Sequence, residues 1–152
     1  MEQIVLLKKQ HWDYTVEDQL RWIESNIQPQ DIHLLIYGES RLMAYLNLVH
    51  RTVLNAVEKH VLGVGNVCVD KAFRRTGLGA VLMWSANWYL KTHHTVGMLL
   101  CKAPLCRFYE SVAWEKFEQK ACDKQGNVLN ENIHLYVYNG AFSTIKLLGD
   151  VF

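Results

Sequence analysis

Val67-Cys68-Val69-Asp70-Lys71-Ala72-Phe73-Arg74-Arg75-Thr76-Gly77-Leu78-Gly79-Ala80-Val81 is the stretch that decides how this chain folds. Its apolar start predicts a strand, its centre a glycine-bearing turn, and its end the first turn of a helix. Gly77 and Gly79 carry no Cβ, so backbone there can approach a ligand closely. The first N–H groups of a helix have no partners inside it, and they favour an anion at its N-terminus. Arg74 and Arg75 add two charges beside that end, in a form suited to phosphate. The segment therefore predicts a diphosphate cradle.

Beyond the cradle the helix is well marked. Leu78, Val81, Leu82, Ser85, Ala86, Tyr89 and Leu90 fall on one face at helical spacing. Trp84 and Trp88 flank that face and read as packing residues. A buried strand is expected over Val96 to Cys101. Pro104 then suits the start of a short helix, Leu105 to Val112. Trp114 to Gln119 reads as a strand, Asp123 to Asn130 as a polar turn, and Ile133 to Tyr138 as the last clear strand. The tail, Asn139 to Phe152, is open between strand, helix and loop.

Toward the N-terminus, Ile4 to Leu7 reads as a short apolar strand. Thr15-Val16-Glu17-Asp18 predicts a capped helix start, with Asp18 reaching back to Thr15. Val16, Leu20, Ile23 and Ile27 give that helix one apolar stripe, and Pro29 ends it. Ile32 to Tyr37 and Arg41 to His50 form a hairpin about Gly38-Glu39-Ser40. Thr52 to Lys59 is either loop or strand extension. Val61 to Val69 is a strand interrupted by Gly63 and Gly65, as at a bulge or a close backbone approach. The order β-α-β-β-β-α-β-α-β-β predicts an α/β (α+β) fold with a mixed sheet and helices on its faces.

Composition narrows the function classes. The 152 residues suit a single domain, 1–152, with a sizeable core. A 50 % apolar and 20 % charged composition is that of a soluble globular protein. With 16 basic and 15 acidic residues the formal net charge is +1, and no basic stripe with interleaved aromatics appears. Nucleic acid and membrane are therefore not expected partners. The four cysteines, Cys68, Cys101, Cys106 and Cys122, form no C-x-x-C pair and read as reduced thiols of a cytoplasmic protein. The seven histidines lack ligand spacing, so no metal is expected. No signal peptide or membrane-spanning run is recognised. The sequence is compatible with a homodimer.

Arg74-x-x-Gly77-x-Gly79, preceded by V-x-V-D-x-x-F-R, resembles the acyl-CoA signature of the GNAT N-acetyltransferases. The resemblance is strongest from Val61 to Phe117. It implies the GNAT fold, with acetyl-CoA in an opening between two splayed parallel strands. Here those are Val61–Val69 and Val96–Cys101, with the family's bulge near Gly65 and Asn66. It further implies that Val67, Cys68 and Val69 line the cofactor beside Arg74, Arg75, Thr76, Gly77, Leu78, Gly79 and Ala80. The backbone N–H of Cys68 or Val69 is the implied oxyanion donor. The Cys68 thiol has no activating neighbour in sequence and is not expected to be a nucleophile.

Leu105 to Trp114 resembles the family's second signature, whose tyrosine, here Tyr109, acts as general acid toward the departing thiolate. A phenol with a pKa of about 10 is protonated at neutral pH and can donate. Ala113 stands where the family often has glycine, which is expected only to narrow the turn. The base is open between His60, Glu58, Asp70, a water held by backbone carbonyls, and no dedicated base at all.

The ending Gly149-Asp150-Val151-Phe152 is similar to the tail of aminoglycoside 2′-N-acetyltransferases. That similarity implies that Asp150 and the Phe152 carboxylate line the amine pocket, with Phe152 in place of the usual Trp. The expected activity is acetyl transfer from acetyl-CoA to a small-molecule primary amine, with an aminoglycoside or amino sugar as leading substrate. A protein or peptide N-acetyltransferase and a non-catalytic acyl-CoA-binding module are the competing readings.

Overall fold

The computed structural model describes residues 1–119 and 121–149. Its elements are α1 (Glu2–Lys9), α2 (Val16–Asn26), β1 (Ile32–Gly38), β2 (Arg41–Asn55), β3 (Val57–Val69), α3 (Leu78–Thr92), β4 (Gly97–Lys102), α4 (Cys106–Ser111), β5 (Glu115–Lys116), β6 (Ala121–Cys122), β7 (Ile133–Tyr138) and β8 (Ile145–Leu147). Short 3-10 turns precede α3 and α4, at Lys71–Phe73 and Ala103–Leu105. The fold is mixed α/β, with parallel and antiparallel strand pairs. The chain forms two compact units, one from Met1–Val49 and Gly65–Ala86, the other from His50–Val64 and Asn87–Phe152.

In the first unit, Ile4 to Leu7 is not a strand but the middle of α1. A four-residue apolar run does not distinguish the two states. Ile4, Val5, Leu7 and Lys8 are buried, which is the i, i+1, i+3, i+4 face of a helix. Glu2 in the first turn and Lys8 and Lys9 in the last also match the helix dipole. Helix α2 starts as the sequence predicts. The Thr15 hydroxyl accepts the Asp18 N–H at 3.1 Å and donates to the Asp18 carboxylate at 2.7 Å. Its buried positions are Gln19 and Ile23, whereas Leu20 is exposed.

Strands β1 and β2 pair antiparallel from Ile32↔Leu48 to Gly38↔Arg41, with a shift between Ile36 and Tyr37. Glu39 turns the hairpin with φ 55. The core of this unit gathers Ile4, Leu7, Leu42, Tyr45 and Cys68, with Trp12 against it.

Residues 52–59 are strand rather than loop, because β2 continues to Asn55 and β3 begins at Val57 after a turn at Ala56. The sheet order is β5-β7-β4-β3-β2-β8-β6, with β1 paired to β2. In the second unit, β3 and β4 are parallel at Leu62↔Gly97 and Gly63↔Met98. Strands β4 and β7 pair antiparallel along their whole length, from Gly97↔Tyr138 to Lys102↔Ile133. The expected strand from Trp114 to Gln119 is only Glu115–Lys116, and the open tail contributes β8.

Val53, Val61, Met98, Leu135, Val137, Ile145 and Leu147 form the core of this unit. Gly97 lets β4 pass under two side chains. A Cβ there would lie 2.5 Å from Leu90 Cδ1 and 2.7 Å from Trp114 Cη2.

Candidate functional site

Strand β3 delivers the chain to the cradle. Asn66 breaks its pleat with φ 53, a conformation asparagine tolerates better than most residues. The Asn66 side-chain amide donates to Asn47 Oδ1 at 2.9 Å, inside the first unit. Beyond this irregularity Val67 and Val69 are half-buried, while Cys68 points into the core. Burial pushes the Cys68 thiol up to about 12, against an opposing pull from Lys8. The thiol therefore stays protonated at neutral pH, and no thiolate nucleophile arises there.

Asp70 closes the strand and anchors the turn. Its carboxylate accepts from Gln10 Nε2 at 3.0 Å and from the Ala72 N–H at 2.9 Å, and it pairs with Arg41. Burial alone would raise this carboxyl, yet the bonds from Gln10, Ala72 and Arg41 hold it below the usual carboxylate range. A lowered pKa makes Asp70 a weaker proton acceptor than an ordinary carboxylate, and its bonds mark it as an anchor.

The cradle itself is exposed. Arg74, Arg75, Thr76 and Gly77 all face solvent, and Leu78, Gly79 and Ala80 are half-buried in the first turn of α3. Arg75 has φ 63 and Gly77 φ 91, so the turn passes through the left-handed region twice. Among the described residues nothing lies within 4 Å of where a Gly77 Cβ would stand. The space beside it is open for a ligand, and glycine is required there for its backbone angle. The first helical bond after it runs from the Val81 N–H to the Gly77 carbonyl, at 3.1 Å. The N–H groups of Leu78, Gly79 and Ala80 thus begin α3 without partners inside it, which fits a diphosphate.

One contact was not legible in the sequence. Just past α1, His11 holds Arg74. The Arg74 Nη2 lies 2.8 Å from His11 Nδ1, and His11 Nε2 lies 2.9 Å from the Val69 carbonyl. These residues are 63 and 58 positions apart, with no local pattern to join them.

Tyr109 sits in the second unit, on α4, and is 6 % exposed. Its ring meets Phe108 edge-on at 5.1 Å and lies 6.2 Å from Tyr136. Burial first, and then Cys101, push the phenol above its usual value, so it is protonated throughout the physiological range. The Tyr136 hydroxyl donates to Glu110 at 2.8 Å.

The corner after α4 is secured by Asn87, a buried polar residue of α3 that the helical stripe does not include. It donates to the Val112 carbonyl and accepts from the Trp114 indole N–H, both at 2.8 Å. Ala113 turns this corner with φ 68. The glycine replacement thus carries backbone strain in place of the simple narrowing expected. Trp84 and Trp88, expected to pack, are 50 % and 68 % exposed. The helix buries Leu82, Met83, Ala86, Asn87 and Leu90, so its face is rotated from the one predicted.

Of the other base candidates, Glu58 and His60 are exposed in the second unit, with His60 Nδ1 3.4 Å from the Thr52 hydroxyl. The cradle residues Val67 to Ala80 all belong to the first unit. Asp150 and Phe152 lie outside the described residues. Among the described residues no cluster of three or more His, Cys, Asp or Glu is placed to hold a metal ion. No helix among them is long and apolar enough to cross a membrane.

A family model described as the Acetyltransferase (GNAT) family matches residues 2–114. Solved structures share the fold at low identity. An aminoglycoside antibiotic 6′-N-acetyltransferase from Acinetobacter haemolyticus is 18 % identical, with a TM-score of 0.62, over 78 % of this chain and 86 % of that one. An aminoglycoside 6′-N-acetyltransferase complexed with coenzyme A is 10 % identical, with a TM-score of 0.66, over 98 % of this chain and 91 % of that one. The ribosomal-protein-S18-alanine N-acetyltransferase from Escherichia coli is 14 % identical, with a TM-score of 0.64, over 93 % of this chain and 90 % of that one.

Proposed function

Because the chain belongs to the GNAT acetyltransferase family, we propose that it moves acetyl from acetyl-CoA to a primary amine of a small molecule by direct attack. Family membership makes it an acetyl-CoA-dependent N-acetyltransferase, and the open question is the amine. The family match runs through segments of both units, which supports reading residues 1–152 as one acetyltransferase domain.

The observation that carries the cofactor assignment is the open cradle at Arg74 to Ala80. It joins two left-handed backbone positions, two exposed arginines and the N-terminus of a 15-residue helix. There the N–H groups of Leu78, Gly79 and Ala80 and the arginine charges would meet the diphosphate. The backbone N–H of Cys68 or Val69 would face the developing oxyanion.

In the reaction the amine nitrogen bonds the thioester carbonyl carbon, the C–S bond breaks, and the sulfur leaves as thiolate. The nitrogen loses one proton and the sulfur gains one. Tyr109 is the proposed donor to sulfur. A thiol pKa of about 8.5 lies below that of a buried phenol, so the donated hydrogen bond matters more than complete transfer. The lowered pKa of Asp70 argues against it as the base, which leaves the exposed His60 and Glu58, a water held by backbone carbonyls, or no dedicated base.

Aminoglycosides lead the substrate proposal. Two of the similar folds carry aminoglycoside N-acetyltransferase names, and the resemblance of Gly149-Asp150-Val151-Phe152 to the aminoglycoside 2′-N-acetyltransferase tail supports Asp150 and Phe152 as counter-charge for a polycation. The test is thiol release from acetyl-CoA across aminoglycosides, polyamines, amino acids and peptides. Turnover confined to aminoglycosides is the expected result. Turnover of peptides alone would replace the small-molecule reading with the protein one. Tight acetyl-CoA binding without turnover of any amine would favour the binding-module reading.

A further inference from the structure

The His11 ring is fully committed between two partners. The Val69 carbonyl can only accept, so the nitrogen facing it, Nε2, carries the proton. A guanidinium can only donate, so Nδ1 must be the lone-pair nitrogen that accepts from Arg74 at 2.8 Å. The neutral Nε2–H ring is the only form that makes both bonds. Its carrier segment is itself pinned. The His11 N–H bonds the Lys8 carbonyl at 2.9 Å. Next to it, Gln10 bonds both the Asp70 carboxylate and the Lys71 N–H. The end of α1 therefore holds both backbone and side chain of the segment that leads into the cradle.

Resting on the cofactor reading above, we infer that His11 is a positioning residue for cofactor binding: it presets the Arg74 guanidinium beside the cradle. Arg74 is exposed, and an exposed arginine left unheld would have to be ordered by the diphosphate as it binds. Freezing one such side chain costs up to about tenfold in affinity. His11 removes that cost while using only one edge of the donor fork. Protonating the ring destroys the acceptor and sets two cations together. Arg74, Lys71 and Asp70 are the charged groups that face it. The first two oppose a charge on the ring and the third favours it.

The test is calorimetric titration of acetyl-CoA into the full chain, paired with steady-state kinetics. His11→Phe should weaken binding roughly tenfold and raise KM for acetyl-CoA, with kcat held. The same change made on Arg74→Ala should cost nothing further. His11→Asn, which offers an oxygen near the Nδ1 position, should restore much of the loss. Lowering the pH from 7.5 to 5.5 should weaken wild-type binding more than Arg74→Ala binding. That comparison cancels the cofactor's own titration and needs no His11 variant to fold. Wild-type affinity in His11→Phe, equal losses on both backgrounds, or parallel pH profiles would overturn the inference while leaving the cofactor site intact. Absence of acetyl-CoA binding by the wild type would overturn both.

Discussion

At the scale of single residues, the proposed chemistry would rest on positions where backbone angle or burial leaves little choice. Gly77 is needed for its φ of 91 and for the open space beside it. Gly77→Asp should therefore abolish acetyl-CoA binding, since it adds both left-handed strain and a carboxylate against the diphosphate. Unchanged affinity in calorimetry would remove the cradle from Arg74 to Ala80.

Tyr109→Phe should lower kcat by about 10²-fold and leave acetyl-CoA affinity near wild type. Because burial raises the phenol, wild-type kcat should show no alkaline loss attributable to Tyr109 below about pH 10. An alkaline limb near neutrality that vanishes in Tyr109→Phe would contradict this. Ala113 offers a separate check on stability. Its left-handed backbone costs about 1–2 kcal/mol, which glycine would relieve. Glycine adds chain entropy worth about 0.5–1 kcal/mol, so Ala113→Gly should gain roughly 0.5–1 kcal/mol in a denaturant melt.

At the scale of elements, the joints are polar as well as apolar. Asn87 is 1 % exposed and ties α3 to the corner that follows α4. Asn87→Ala would leave the Trp114 indole N–H and the Val112 carbonyl buried without their partner, at a cost of about 2–4 kcal/mol. Chemical denaturation checks this, and a loss below 1 kcal/mol would show that water replaces the amide.

The same elements show what periodicity can and cannot tell. The capped start of α2 was readable because its two partners lie three residues apart, within one turn. The α1 helix was not, because its apolar run satisfies either a strand or a helix face until a partner surface chooses. The rotation of α3 has the same origin. Ser85 and Tyr89 are acceptable on an apolar stripe, but Asn87 has buried partners 25 and 27 residues away.

At the scale of the molecule, two histidines and two aspartates, Asp70 and Asp123, set the acid response. His11 and His33 both lie below the usual histidine value, chiefly because burial disfavours the imidazolium. The unfolded chain therefore takes up these protons first. Stability should be unaffected by them above about pH 6.5 and should fall as pH drops from there through their folded values. Asp70 is held low, so its contribution is present above its unfolded value near 3.9 and is lost as pH falls through the folded one. Lys8 is lowered to about 8 by burial, so Tm should rise as pH climbs through that value and should decline in two stages on acidification below pH 7. His11→Asn with His33→Asn should flatten the first stage only. A first stage of unchanged slope in that variant would place its origin elsewhere.

The sequence by itself determined the mixed α/β class, the strand-turn-helix of the cradle and its family. Those depend on contacts a few residues apart, where glycine, proline, charge and apolar spacing act directly on the backbone. It also placed Tyr109 on a short helix, though not the burial that keeps its proton in place. Only the tertiary structure decided which face of α3 is buried, that Asp70 is an anchor bonded by Gln10 and Arg41, and that Arg74 is held by a histidine 63 residues away. Such pairings have no local signature. They exist because folding brings polar groups distant in sequence together, and a buried one such as the Asp70 carboxylate must then find its partners within the protein.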